Sequence, residues 1–137
     1  MISTKTSCLV LGATGSFGYA LTTELLKSNI STTILVRDPK QAKTLFPNSQ
    51  SLDIVEGNVL DEKHVATLSK DKTHIAHCIN VAYEDWSKVM PRSTEIVANC
   101  AIENQSTILF PGNIYGFGTQ PKINESSIPI PISKKGN

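Results

Sequence analysis

The stretch Cys8-Leu9-Val10-Leu11-Gly12-Ala13-Thr14-Gly15-Ser16-Phe17-Gly18 constrains this chain more than any other. A short apolar run ends in glycines. The glycines open onto Phe17, Ala20, Leu21 and Leu25, which recur with helical spacing. A strand that feeds a helix through a glycine-rich turn is the arrangement that holds a diphosphate, because the helix start offers unpaired N–H groups and the positive end of its dipole. In that arrangement Gly12 makes the tight turn, Gly15 leaves room for phosphate oxygens, and Gly18 lets helix and strand pack closely. Thr14, Ser16 and Phe17 complete the loop. The spacing is G-x-x-G-x-x-G rather than G-x-G-x-x-G, and Tyr19-Ala20 stand where a P-loop requires Lys and Ser or Thr. A glycine-rich turn with no ligand is the plainer alternative.

The rest of the sequence alternates. Strand patterns cover residues 7–11, 32–36, 52–56, 74–80 and 107–110. Helical patterns cover 16–28, with Asn29 as the C-cap, and 61–68, with Asp61 as the cap. Another helix starts at Asp38-Pro39, an N-cap and N1 pair, and runs to about Phe46, where Pro47-Asn48-Ser49 breaks it. A longer helix is expected from about Glu84 to Asn104, interrupted or restarted at Pro91. Five strands separated by helices argue an α/β, doubly wound parallel sheet in the order 3-2-1-4-5, with helices on both faces. Residues 1–137 read as one domain. Residues 110–137 read largely as loop, ending where a further helix and strand would extend the sheet.

Composition excludes several function classes. The 137 residues are enough for one real core and carry a formal net charge of +1. No basic run exceeds Lys134-Lys135, so nucleic acid is not an expected partner. No apolar run approaches the roughly 20 residues of a membrane span. Residues 1–6 lead directly into the first strand pattern, which reads as having no signal peptide. The three cysteines, Cys8, Cys78 and Cys100, lie in apolar surroundings outside any C-x-x-C pattern. They read as buried hydrophobes of a cytoplasmic protein. His64, His74 and His77 do not form a metal site, since residues three apart on a strand face opposite sides.

Candidate ligand contacts cluster after the strands. Arg37 stands where an NAD-binding domain usually carries an acid for the ribose 2′-OH. A guanidinium suits a 2′-phosphate instead, which puts NADP ahead of NAD. Asp38 reads as the helix cap. Asn58, beside Val59, has the polar tip to accept from an adenine amino group and donate to a ring nitrogen, with a plain turn as the alternative. Asn80 ends the fourth strand pattern on the same side. Tyr83, Trp86 and Met90 wall a pocket or pack the following helix. Asn113 and Tyr115 have polar tips suited to substrate contact, or merely shape a loop.

Gly12-Ala13-Thr14-Gly15-Ser16-Phe17-Gly18, Leu35-Val36-Arg37-Asp38, Gly57-Asn58-Val59 and Pro111-Gly112-Asn113-Ile114-Tyr115-Gly116 together resemble the extended short-chain dehydrogenase/reductase superfamily. Within it, the NAD-dependent epimerase/dehydratase family is most similar, over the cofactor-binding part only. The resemblance implies a Rossmann fold whose C-terminal part is missing, and a nicotinamide cofactor across the strand ends. It also implies redox or epimerisation chemistry at a hydroxyl or carbonyl carbon, often of a nucleotide sugar. It implies catalysis by a Ser or Thr after the fifth strand and a Tyr-x-x-x-Lys on the next helix. The chain departs from that pattern. Asn58 stands where Asp is common, and Pro111 falls at the Ser/Thr position. Thr23, Ser87 and Thr119, not lysine, follow the three tyrosines at the fourth position. Lys135 falls roughly at the tyrosine's place. The expected function is therefore the NAD(P)-binding domain of such an oxidoreductase, with a small-molecule substrate and a homo-oligomer left open. The alternatives are a non-catalytic NADP(H) sensor or scaffold, or a truncated remnant.

Overall fold

A computed structural model describes residues 5–47 and 49–134. Asn48 in the expected helix break, Lys135, and the leader reading at residues 1–4 lie outside the described residues. The elements are β1 (Ser7–Leu11), α1 (Ser16–Lys27), β2 (Ser31–Val36), α2 (Pro39–Leu45), β3 (Leu52–Glu56), α3 (Glu62–Ser69), β4 (His74–His77), α4 (Tyr83–Asn104) and β5 (Thr107–Leu109). A 3-10 turn follows at Tyr115–Phe117. The five strands form a parallel sheet in the order β3-β2-β1-β4-β5.

The central strands read as continuous apolar runs because both faces of the sheet are covered. Cys8, Val10, Ile34, Val36, Ala76 and Cys78 turn to the α1–α2 side, where Leu21, Leu25 and Leu45 pack on them. Leu9, Leu11, Leu35 and Ile75 turn to the other side, against Val65 of α3 and Ile96, Val97 and Cys100 of α4. One-residue alternation along each strand thus builds two cores.

The helix ends follow local chemistry. Asp38 caps α2, its carboxylate accepting from the Lys40 and Gln41 amides at 2.9 and 3.1 Å. Asp61 caps α3 through the His64 amide. Asn29 leaves α1 in the left-handed region at φ 53°, its N–H donating to the Leu26 carbonyl, while the Ile30 N–H donates to the Leu25 carbonyl. That pair of bonds satisfies carbonyls the helix cannot. Gln105 leaves α4 in the same way, also at φ 53°.

Two elements differ from the sequence reading. β4 ends at His77 rather than Asn80. Its last ladder bond runs from the Cys78 amide to the Leu11 carbonyl at 2.8 Å, and β1 then turns away at Gly12, leaving Ile79 and Asn80 no strand to pair with. α4 is one helix running through Pro91, neither interrupted nor restarted. The missing proline amide deprives the Ser87 carbonyl of its helical donor, and Ser87 is exposed, so that carbonyl is not buried without a partner. Met90, Ser93, Ile96, Val97, Cys100 and Ala101 are buried along α4. Burying a large apolar side chain stabilises by about 1.5–3 kcal/mol, so this face outweighs the roughly 3 kcal/mol that an internal proline costs.

Candidate cofactor site

The carboxyl ends of β1, β2, β3, β4 and β5 open onto a cavity of about 920 Å³. Its floor is the glycine turn, and the three glycines there have three different reasons. Gly12 sits at φ 86°, and a Cβ on it would stand 2.5 Å from the Cys78 carbonyl oxygen. Gly18 is buried under the turn, where a Cβ would be driven into the Gly12 carbonyl. These two are required by the protein's own backbone. Gly15 is not. Its φ of −81° and ψ of 166° suit any residue, and a Cβ there would meet only the Gly12 oxygen, at an ordinary 3.5 Å. Gly15 lines the cavity, so a side chain there would take up space that a ligand needs.

The head of α1 is electrostatically open. Gly15 offers no side-chain cap, and the first turn of α1 holds no acidic residue. By contrast, α2 has Asp38, α3 has Asp61 and Glu62, and α4 has Glu84 and Asp85 in its first turn. The α1 N-terminus therefore keeps free amides and uncompensated positive potential facing the cavity. A diphosphate supplies both the acceptors and the charge.

Of the residues singled out from sequence, Gly12, Thr14, Gly15, Ser16, Phe17, Arg37, Asn58, Val59, Asn80 and Asn113 line this cavity. Gly18 supports it from beneath. Trp86 and Met90 line it too, whereas Tyr83 is 87% exposed and is not among the lining residues. Tyr115 lies in the 3-10 turn past the wall and is likewise not among them. Asp38 is occupied by its cap bonds, which leaves Arg37 as the charged side chain lining the β2 end. Asn58 Oδ1 accepts from the Leu60 amide at 2.9 Å, and Asn113 Oδ1 accepts from the Tyr115 amide at 3.0 Å. Each oxygen is engaged in a local turn, and each side-chain NH₂ remains as the donor available to a ligand.

The sequence reading passed over Asp85, Val89, Cys78 and Ile79 as lining residues. The signal for two of them was present. Asp85, Trp86, Val89 and Met90 fall at helical spacing just after a strand end, which places them on one face of α4. Cys78 faces a different environment from a reactive thiol, since burial pushes its pKa up to about 11. Among the described residues no group of His, Cys, Asp and Glu could hold a metal ion. No helix there is long and apolar enough to cross a membrane.

A parallel sheet in this order, with an open helix head and a glycine cradle at its strand ends, defines a dinucleotide-binding protein. The sequence pattern of the NAD(P)H-binding family matches residues 12–104, and the chain belongs to that family. No curated protein matches the sequence significantly. Solved structures share the fold. WbmH of Bordetella bronchiseptica, solved with NAD+, has a TM-score of 0.72 at 15% identity, over 96% of this chain and 47% of its own. WbmG of the same organism, solved with NAD and UDP, has a TM-score of 0.67 at 20% identity, over 94% and 45%. MoeE5, solved with UDP-glucose and NAD, has a TM-score of 0.66 at 20% identity, over 95% and 44%. The chain thus spans less than half the length of each.

Proposed function

We propose that this chain is the cofactor-binding domain of an NADP-preferring oxidoreductase acting at a hydroxyl or carbonyl carbon. The observation that carries the cofactor assignment is Gly15, a glycine that neither its own backbone nor its packing requires. In this reading the cofactor diphosphate lies on the amides at the head of α1. Arg37 pairs with the ribose 2′-phosphate through charge-assisted bonds. Asn58 donates to the adenine from its NH₂, and Val59 packs beside it. The nicotinamide end extends toward Asn80, Trp86 and Met90, and Asn113 stands at the substrate side. When bound, the cofactor supplies or accepts a hydride.

The structural neighbours solved with UDP or UDP-glucose support a nucleotide sugar as substrate of the parent protein. A second reading, a sensor that binds NADP(H) without turnover, is favoured by the lining of the nicotinamide end. No tyrosine, lysine or histidine lines the cavity among the described residues. The Tyr-Lys pair that the resemblance implies is thus absent from the lining, where the ionisable side chains besides Arg37 are Asp85 and Cys78, and burial holds the Cys78 thiol protonated at neutral pH.

The test is titration of NADPH and NADH by fluorescence, followed by turnover with nucleotide sugars and simple carbonyls. The expected result is binding of both cofactors, NADPH more tightly. No binding of either refutes the assignment, and tighter NADH binding refutes the preference. Turnover that disappears in Tyr115→Phe refutes the sensor reading and makes Tyr115 the acid/base.

A further inference from the structure

His77 ends β4 on the α4 side of the sheet and is 1% exposed. Its protonation state follows from its partners. The single hydroxyl proton of Ser93 goes to the Met90 carbonyl, at 3.2 Å. Ser93 Oγ, 3.1 Å from His77 Nε2, must then accept, so Nε2 is the nitrogen that carries the proton. Thr94 Oγ1 lies 3.4 Å from the same nitrogen. Nδ1 is left as a buried lone pair with no hydrogen-bond partner. The ring meets Phe110 edge-on, with centroids 5.6 Å apart and planes at 67°.

Met90 and Phe110 both line the cavity. The imidazole therefore braces two wall residues from behind, one through a hydrogen-bonded helix carbonyl and one through a ring contact. We propose that neutral His77 is a positioning residue that holds this wall in place, and that a second proton, at Nδ1, leaves the Nε2–H donor intact but drives the charged ring out of its buried place toward water, which loosens the wall and weakens whatever the cavity binds. The identity of the bound molecule rests on the cofactor reading above, whereas the motion of the wall does not.

The surroundings make the two states unequal. A proton on Nδ1 would be buried, with no acceptor offered by any other residue. Beside it in the sheet stands Leu11 of β1, and β5 carries no charged residue. Cys8 and Cys78 belong to the core on the opposite face. On α4, the charges flanking Ser93 and Thr94 are Arg92 and Glu95, which pair with each other and, through Arg92, with Glu62 of α3 at the surface. None of these charges faces the ring, and burial, which outweighs the opposing approach of the residue's own backbone carbonyl, pushes the His77 pKa below its usual 6.5.

Trp86, the chain's one tryptophan, lines the same cavity one turn before Met90 and reports on the wall. The experiment follows Trp86 emission of the cofactor-free chain from pH 8 to pH 5, with far-UV circular dichroism confirming that the fold persists. The expected result is one transition with a midpoint below 6.5. NADPH should weaken about tenfold one pH unit below that midpoint, as for a protein whose competent fraction falls to about a tenth. His77→Gln keeps a donor for Ser93 and removes the titration, so the Trp86 transition should vanish, and the variant's NADPH affinity, whatever its value at pH 8, should no longer fall tenfold across the same pH range. If that variant does not fold, imidazole NMR of the wild type is decisive, with His64 and His74 assigned by substitution. The His77 midpoint and the Trp86 midpoint should coincide. A Trp86 transition that survives His77→Gln, one that departs from the His77 midpoint, or its absence in the wild type overturns the proposal. Failure to bind NADPH at pH 8 sinks only the cofactor reading.

Discussion

The two ends of the cavity are built from different material. At the β1 end the surface is backbone: Gly12, Gly15 and the amides at the head of α1. At the β4–β5 end it is side chain: Trp86, Met90, Phe110 and Asn113. A backbone-built surface tolerates almost no substitution, because every Cβ added to it meets either the protein or the ligand. A side-chain-built surface is held only by what packs behind it, here the His77 ring and the Ser93 hydroxyl. In the proposed reading the first end is the one that meets what all dinucleotides share, and the second is where specificity can change without disturbing the fold.

The sharpest way to break this contrast is at Gly18. Gly18→Ala drives a methyl group into the Gly12 carbonyl, where neither partner is a flexible side chain. A loss of about 3 kcal/mol is expected, read as a lower urea midpoint. Gly15→Ala, three residues away, should change stability by less than about 0.5 kcal/mol. Equal destabilisation by the two would remove the distinction between glycines the fold needs and the glycine the ligand needs. Next in size, Gly15→Val should cost NADPH at least about tenfold in affinity with the fold intact, measured by fluorescence titration. Unchanged binding by the folded variant would mean that the diphosphate lies elsewhere.

Arg37→Ala should weaken NADPH about tenfold, since a charged hydrogen bond contributes roughly 1.5–3 kcal/mol, and leave NADH nearly unchanged. The effect expected to be smallest lies at the other end. Because burial lowers the His77 pKa in the folded chain, the unfolded chain binds the proton first as pH falls. Stability from this group is therefore complete above about 6.5 and declines as pH drops from there toward the folded-state value, below which both states are protonated. Urea midpoints measured across that window should fall in the wild type and stay flatter in His77→Gln.

The geometry of the backbone-built end was legible in the sequence; at the side-chain-built end Trp86, Met90 and Asn113 could be named, but not what packs behind them. Glycines, caps and apolar alternation report local backbone geometry directly, so Ser7–Leu11, the Asp38 and Asp61 caps and the sheet order could be read off the chain. The span of β4 could not, because its length depends on where β1 turns away, a partner distant in sequence. Nor could the continuity of α4 through Pro91, which is decided by the apolar face it buries. Asn58 and Asn113 show the same limit from another side. For Asn58 the residue type suggested ligand contacts on both polar atoms, and for Asn113 a polar tip toward substrate, each with a turn or loop role as the alternative, and local turns occupy both oxygens. From the sequence His77 could be said only not to share a metal site with the other histidines, and its contacts with Ser93 and Phe110 tie it to the cavity.

The exit of α4 carries a consequence for engineering. Gln105 holds a left-handed conformation at φ 53° that a long side chain adopts at a cost of roughly 1 kcal/mol and glycine adopts freely. Asn29 ends α1 at the same φ, but asparagine visits that region readily. The chain thus retains unspent thermal tolerance at one exposed position, far from the glycine cradle. Gln105→Gly would raise the melting temperature without touching any residue that lines the cavity, and would give a sturdier background for the destabilising variants above.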